Sequence, residues 1–112
     1  MLAKPVLTIS TLLLACVGQT AIAQNVDAKA AEALVKKSGC LTCHAVDRKK
    51  DGPSFKETAA RLKGKPDAEK ELQTFLTTHP KIKVAGNEEE HASLKTTNDA
   101  DVRNVVGWIL SR

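Results

Sequence analysis

A chain of 112 residues is one small domain and leaves no room for an enzyme with a separate substrate domain. Hydrophobic residues make up 42% and charged residues 27%, yet two Phe, one Trp and no Tyr leave it short of the large rings that fill small cores. The formal charge of +4 is spread over interspersed Lys and Glu, with no Arg-rich block among aromatics, which argues against nucleic-acid binding.

Residues 1–23 read as an export signal. Lys4 supplies the positive start, Val6 to Val17 an apolar run broken by Thr8, Ser10 and Thr11, and Ala21-Ile22-Ala23 an A-x-A cleavage site. The run is about a dozen residues, well short of the ~20 that a membrane-spanning helix needs. Leu13-Leu14-Ala15-Cys16 loosely resembles a lipoprotein box, with Cys16 as the acylated residue, but Leu14 fits poorly there and the conventional site fits well. The expected domain is therefore residues 24–112, exported to the periplasm. It contains no methionine, and Cys40 and Cys43 are its cysteines.

Four helices follow in order. Asp27 caps the first, with Ala28, Ala31, Leu34 and Val35 on one stripe, Lys36-Lys37 near its end and Gly39 as its stop. Ser54 and Glu57 form a capping box after Pro53 and open a short helix to about Leu62. After Gly64-Lys65-Pro66, Asp67 starts a third, with Ala68, Leu72, Phe75 and Leu76 on one face, closing before Pro80. Asn98 caps the last, where Val102, Val105, Val106, Ile109 and Leu110 make the strongest amphipathic pattern in the chain. No strand is evident, and Pro80 to Thr97 reads as one long irregular loop. The fold class is all-α.

Cys40-Leu41-Thr42-Cys43-His44 is the attachment signature of c-type haem. Two thiols at this spacing reach the two vinyl groups on one side of the macrocycle, and the adjacent His44 comes under the iron as the proximal ligand. A redox disulfide is the first alternative, but its usual βαβ setting is missing. Half of a zinc site is the second, but His79 and His91 are widely spaced and follow no finger pattern. A covalent haem, assembled outside the cytoplasm, agrees with the export signal. As a large rigid aromatic body it also replaces the missing core. Leu34, Leu62, Leu72, Phe75, Leu76, Val105 and Ile109 then become haem walls or helix contacts.

Taken together, the motif after a short helix, Gly52-Pro53-Ser54-Phe55 opening the next, and the last helix from Asn98 through Trp108-Ile109-Leu110 make the chain resemble a small bacterial class I cytochrome c, of the c551 and c5-like kind. The resemblance implies the class I cytochrome c fold, with helices wrapped around one covalent haem and the first and last helices crossing. It also implies that the Pro53 carbonyl accepts a hydrogen bond from His44 Nδ1–H, orienting the ring and raising its basicity.

The chain departs from that family in one respect. The usual distal ligand is a Met in the loop before the last helix, and residues 24–112 have none. His91 falls near that place and is the leading replacement. His79 competes, Lys81, Lys83, Lys95 and Asn87 are further possibilities, and an open five-coordinate iron is another. Glu88-Glu89-Glu90 beside His91 would favour ferric haem and a low potential. Lys36, Lys37, Arg48, Lys49 and Lys50 flank the attachment site and form a possible docking patch for redox partner proteins.

The reading of function is a periplasmic monohaem cytochrome passing single electrons between redox partners, bis-His ligated and of low potential. It is an electron-transfer protein and not an enzyme, since no acid–base pair or nucleophile accompanies the haem. A haem-based binder or sensor of NO, CO or O2, and an electron-accepting subunit of a periplasmic oxidoreductase, are the competing readings.

Overall fold

The structure is a computed structural model, and residues 25–112 are described. The export signal assigned to residues 1–23, with Cys16, lies outside the described residues.

Helix α1 (Ala28–Lys37) starts where the Asp27 carboxylate accepts a hydrogen bond from Ala30 N–H at 2.9 Å. It ends as Ser38 closes the last turn and Gly39 takes φ 77°. Helix α2 (Phe55–Leu62) opens with both halves of the Ser54/Glu57 capping box in place, at 3.0 and 2.7 Å. Helix α3 (Ala68–Thr77) follows Asp67, whose side chain makes no capping bond. Helix α4 (Asp99–Leu110) is capped by Asn98, which accepts from Ala100 N–H at 2.9 Å.

Helix α4 is the element on which the others pack, in contact with α1, α2 and α3. Val102, Val105, Val106, Trp108 and Ile109 are all buried and meet Ala31 and Val35 of α1, Phe55 and Leu62 of α2, and Leu72 and Leu76 of α3. Asn104 pins the crossing of α1 and α4. Its carbonyl accepts from Asp27 N–H, and its amide donates to the Asp27 carbonyl, both at 2.8 Å. Among the described residues no helix is long and apolar enough to cross a membrane.

The stretch from Pro80 to Thr97 differs from the expected irregular loop. Strands β1 (Lys81–Val84) and β2 (Asn87–Glu90) form an antiparallel hairpin, pairing Lys81 with Glu90, Ile82 with Glu89, Lys83 with Glu88 and Val84 with Asn87. Three physical reasons hide it in the sequence. Each strand is only four residues long, and Glu is a poor strand former. The two-residue turn puts Ala85 at φ 48° before Gly86 at φ 85°, a place where Asn or Asp is the usual signal. Opposite charges facing across the ladder supply what propensity does not, and Lys81 Nζ also lies 2.9 Å from Glu88. The protein remains predominantly helical, with this one hairpin added.

Candidate functional site

The attachment motif is shaped by one 3₁₀ turn, Cys40–Thr42. Gly39 at φ 77° redirects the chain out of α1, and the N–H groups of Cys43 and His44 both bond to the Cys40 carbonyl. Both cysteines are free and half-buried, and both line a cavity of about 480 Å³. That volume lies within the roughly 300–1,000 Å³ usual for cofactor sites. Burial pushes the Cys40 thiol up from its ordinary pKa, against a smaller opposing effect of its own backbone. Among the described residues no group of three or more His, Cys, Asp or Glu is poised to hold a metal ion by itself.

The His44 imidazole is held from three directions. Its Nδ1 hydrogen-bonds the Pro53 carbonyl at 2.6 Å. Its ring stacks on Phe55, with centroids 5.6 Å apart and planes 19° from parallel. Gly52 presses on it so closely that a β-carbon there would fall 2.5 Å from Cε1. The segment carrying these groups is folded back on the motif by Gly52 N–H to the Cys43 carbonyl at 2.8 Å and Phe55 N–H to the Ala45 carbonyl at 2.9 Å. Lys50 Nζ is engaged as well, donating to the Leu41 carbonyl at 2.6 Å.

His91 faces His44 across the cavity, with ring centroids 5.9 Å apart and planes at 59°. The hairpin delivers it there. His91 N–H bonds to the Pro80 carbonyl at 2.8 Å, and Leu94 N–H to the Leu76 carbonyl at 3.0 Å. Phe75 packs on the His91 ring at 4.7 Å. His91 Nδ1 is buried without a hydrogen-bond partner. Burial lowers its pKa below the ordinary 6.5, and the charge of His44 acts in the same direction.

The other candidates separate cleanly. His79 is exposed, sits at φ 50° and is not among the cavity residues, and neither are Lys81, Lys95 and Asn87. Lys83 does line the cavity, from the exposed side of β1. Of the expected haem walls, Leu62, Leu72, Phe75, Leu76, Val105 and Ile109 line the cavity, whereas Leu34 packs against the helix core. Phe75, expected on a buried face, is 38% exposed because it forms the cavity lip.

Sequence reasoning named Gly52 in the Gly-Pro segment but gave it no role, because that role depends on a contact with His44 that no spacing rule encodes. It missed Arg61 and Glu71, an ion pair at 2.9 Å on the cavity wall that joins α2 to α3. The Arg61 hydrogen bond holds the Glu71 carboxyl below its ordinary pKa. The charge pattern alone gave no sign that these two residues meet.

Comparison with known proteins agrees with this geometry. The family model for cytochrome c matches residues 28–112. Cytochrome c-551 of Pseudomonas aeruginosa is 45% identical over 53 residues, which cover 47% of this chain and about half, 51%, of that relative. Cytochrome c-551 of Azotobacter vinelandii is 32% identical over 83 residues, covering 71% of this chain and 94% of that one. The crystal structure of class 1 cytochrome MtoD from Sideroxydans lithotrophicus ES-1 superposes with a TM-score of 0.73 at 42% identity, over 77% of this chain and 96% of that chain.

The residues fit the group these comparisons imply. Two free thiols and an oriented imidazole lie on one side of the cavity, and a buried imidazole with an unsatisfied nitrogen lies on the other. Two imidazoles bound on opposite sides of one metal, each with a bond of about 2 Å, have centroids roughly 6 Å apart. The observed spacing of 5.9 Å meets that requirement.

Proposed function

Since this chain belongs to the cytochrome c family and carries one covalently bound haem c, we propose that it is an exported single-electron carrier with His44 and His91 as its axial pair. The haem supplies a one-electron couple between ferric and ferrous iron. The observation that carries the reading is the opposition of the two imidazoles across the cavity at 5.9 Å. Cys40 and Cys43 are the attachment thiols, and the Pro53 carbonyl accepts a hydrogen bond from His44 Nδ1–H. That bond fixes the tautomer, leaves the other ring nitrogen free to bind, and raises its basicity.

With an imidazole on each side no position is open for substrate or a diatomic gas, which favours a carrier over a sensor. No methionine lies within residues 24–112, and a nitrogen donor on the distal side favours the ferric state relative to a thioether. Glu89 and Glu90 at the cavity edge act in the same direction. The potential is therefore low for the family. Leu41 and Val46 are exposed beside the attachment loop, 42% and 40%, with Lys36, Lys37, Arg48 and Lys49 exposed in the surrounding sequence. They make a contact surface for a redox partner. The export signal of residues 1–23 and the extracytoplasmic assembly of this motif support a periplasmic location.

The test is an absorption spectrum of the ferric protein with and without imidazole, and of the ferrous protein with and without CO. The wild type is expected to be low-spin and indifferent to added ligand, and His91→Ala to be high-spin and to bind imidazole. A wild-type spectrum that changes on adding imidazole would return the sixth position to an open site and the function to ligand binding.

A further inference from the structure

Phe75 stands apart from the other apolar residues of its stripe. Leu72 and Leu76 of α3 are 5% and 7% exposed, whereas Phe75 is 38% exposed at the cavity lip. Core burial alone does not account for an apolar ring left this far in water. Its contact is with His91, at 4.7 Å between ring centroids and 57° between planes. Tilted aromatic pairs attract over roughly 4.5–7 Å between centroids.

The backbone fixes the two rings against each other. The Thr77 and Thr78 hydroxyls donate to the Gln73 and Thr74 carbonyls at 2.9 and 2.7 Å, closing the last turn of α3 around Phe75. The Leu76 and Pro80 carbonyls accept from Leu94 N–H and His91 N–H, which ties the distal segment to the end of that helix. The two imidazoles differ in what orients them. Histidines that bind a metal through one nitrogen usually donate the other N–H to an acceptor, which fixes the ring. His44 Nδ1 has the Pro53 carbonyl for this, whereas His91 Nδ1 is buried without a hydrogen-bond partner. On the distal side the ring is restrained by packing against Phe75.

We propose that Phe75 is a positioning residue for His91, its ring holding the distal imidazole in binding orientation and covering it at the cavity mouth. This rests on the ligation proposed above. The proximal ligand has a hydrogen bond and a stacked ring, Phe55, and the distal one depends on ring packing.

The experiment compares haem-loaded wild type, Phe75→Ala, Phe75→Tyr and His91→Ala by cyanide-binding kinetics and electron paramagnetic resonance of the ferric protein. Cyanide binds only after the distal ligand leaves, so its limiting rate at high concentration reports how firmly His91 is held. Loss of an aromatic pair corresponds to a change of about 2–10-fold in such a rate. Phe75→Ala is therefore expected to raise the limiting rate by about 2–10-fold. It is also expected to shift the g values, which depend on the angle between the two imidazole planes, 59° here. Phe75→Tyr, which keeps the ring, is expected to restore both. In the ferrous wild type, NMR cross-peaks between the Phe75 and His91 ring protons are expected, a readout that needs no variant to fold. Limiting rate and g values unchanged in Phe75→Ala, or missing cross-peaks, would overturn the role of Phe75 while leaving ligation by His91 intact. A Phe75→Tyr that behaves as Phe75→Ala would do the same. A His91→Ala spectrum identical to wild type would overturn both.

Discussion

Gly52 and His44 are in such close contact that the glycine Cα serves as part of the wall behind the imidazole: a β-carbon there would lie 2.5 Å from Cε1 and 2.9 Å from Nδ1. The neighbouring Pro53 carbonyl bonds that same Nδ1 at 2.6 Å. The Gly-Pro pair thus acts as one device, the first residue making room for the ring and the second orienting it.

Gly52→Ala is therefore expected to lower the yield of haem-loaded protein, since the ring must tilt away from Pro53 to admit the methyl group. Overpacking of this kind costs about 1–3 kcal/mol. Gly64→Ala is the control. It meets nothing within 4 Å, does not line the cavity and carries only the strain of φ 78°, about 1–2 kcal/mol, so it should lower the melting temperature without altering the haem spectrum. A pyridine haemochrome assay beside thermal melts separates the two effects.

Exchange of the distal donor should move the potential. His91→Met is expected to raise the midpoint by roughly a tenth to a few tenths of a volt, a fraction of the span available to axial ligand sets. His79→Ala should leave the spectrum unchanged, because His79 is exposed and does not line the cavity. If potentiometry instead finds His91→Met at the wild-type value, His91 is not the ligand.

The α1–α4 crossing depends on the half-buried Asn104. Asn104→Ala removes both 2.8 Å bonds to Asp27, worth about 1–2 kcal/mol together. For a domain of this size that corresponds to a melting temperature lower by roughly 5–10 °C. The haem spectrum should be unaffected, since Asn104 does not line the cavity. A melt unchanged within error would show that the pair contributes nothing beyond the packing around it.

Acid sensitivity should carry a component from the α2 capping box. The Ser54 N–H, then its hydroxyl, hold the Glu57 carboxyl below the ordinary 4.5. A depressed carboxylate pKa contributes stability that is fully present above 4.5 and is lost as pH falls through the folded-state value. Glu57→Gln should flatten that part of the pH–stability curve while changing little at neutral pH. Ser54 is 2% exposed, so Ser54→Ala should cost about 1–2 kcal/mol near neutral pH, and part of that cost should vanish as Glu57 is protonated, because the Ser54 hydroxyl helps to hold its pKa down. Denaturant melts between pH 3 and 7 compare the two.

Local rules made much of this protein legible in one dimension. The helix starts at Asp27, Ser54 and Asn98 are caps whose side chains bond within their own first turn, and the stripe of α4 is a property of consecutive residues. Cys40 to His44 carry their chemistry in their spacing, because one 3₁₀ turn suffices to bring them together. The lack of a methionine in residues 24–112 was likewise certain from composition. What needed the tertiary structure is everything that depends on distant partners. The hairpin exists through Lys–Glu pairing across the ladder and against the strand propensity of Glu88 to Glu90. His91 rather than His79 faces His44 because the hairpin hands it back over the cavity from the end of α3, a fact about where Pro80 and Leu76 lie in space. Gly52 and the Arg61–Glu71 pair owe their significance to neighbours brought close by packing, and packing geometry is written in no short stretch of the chain.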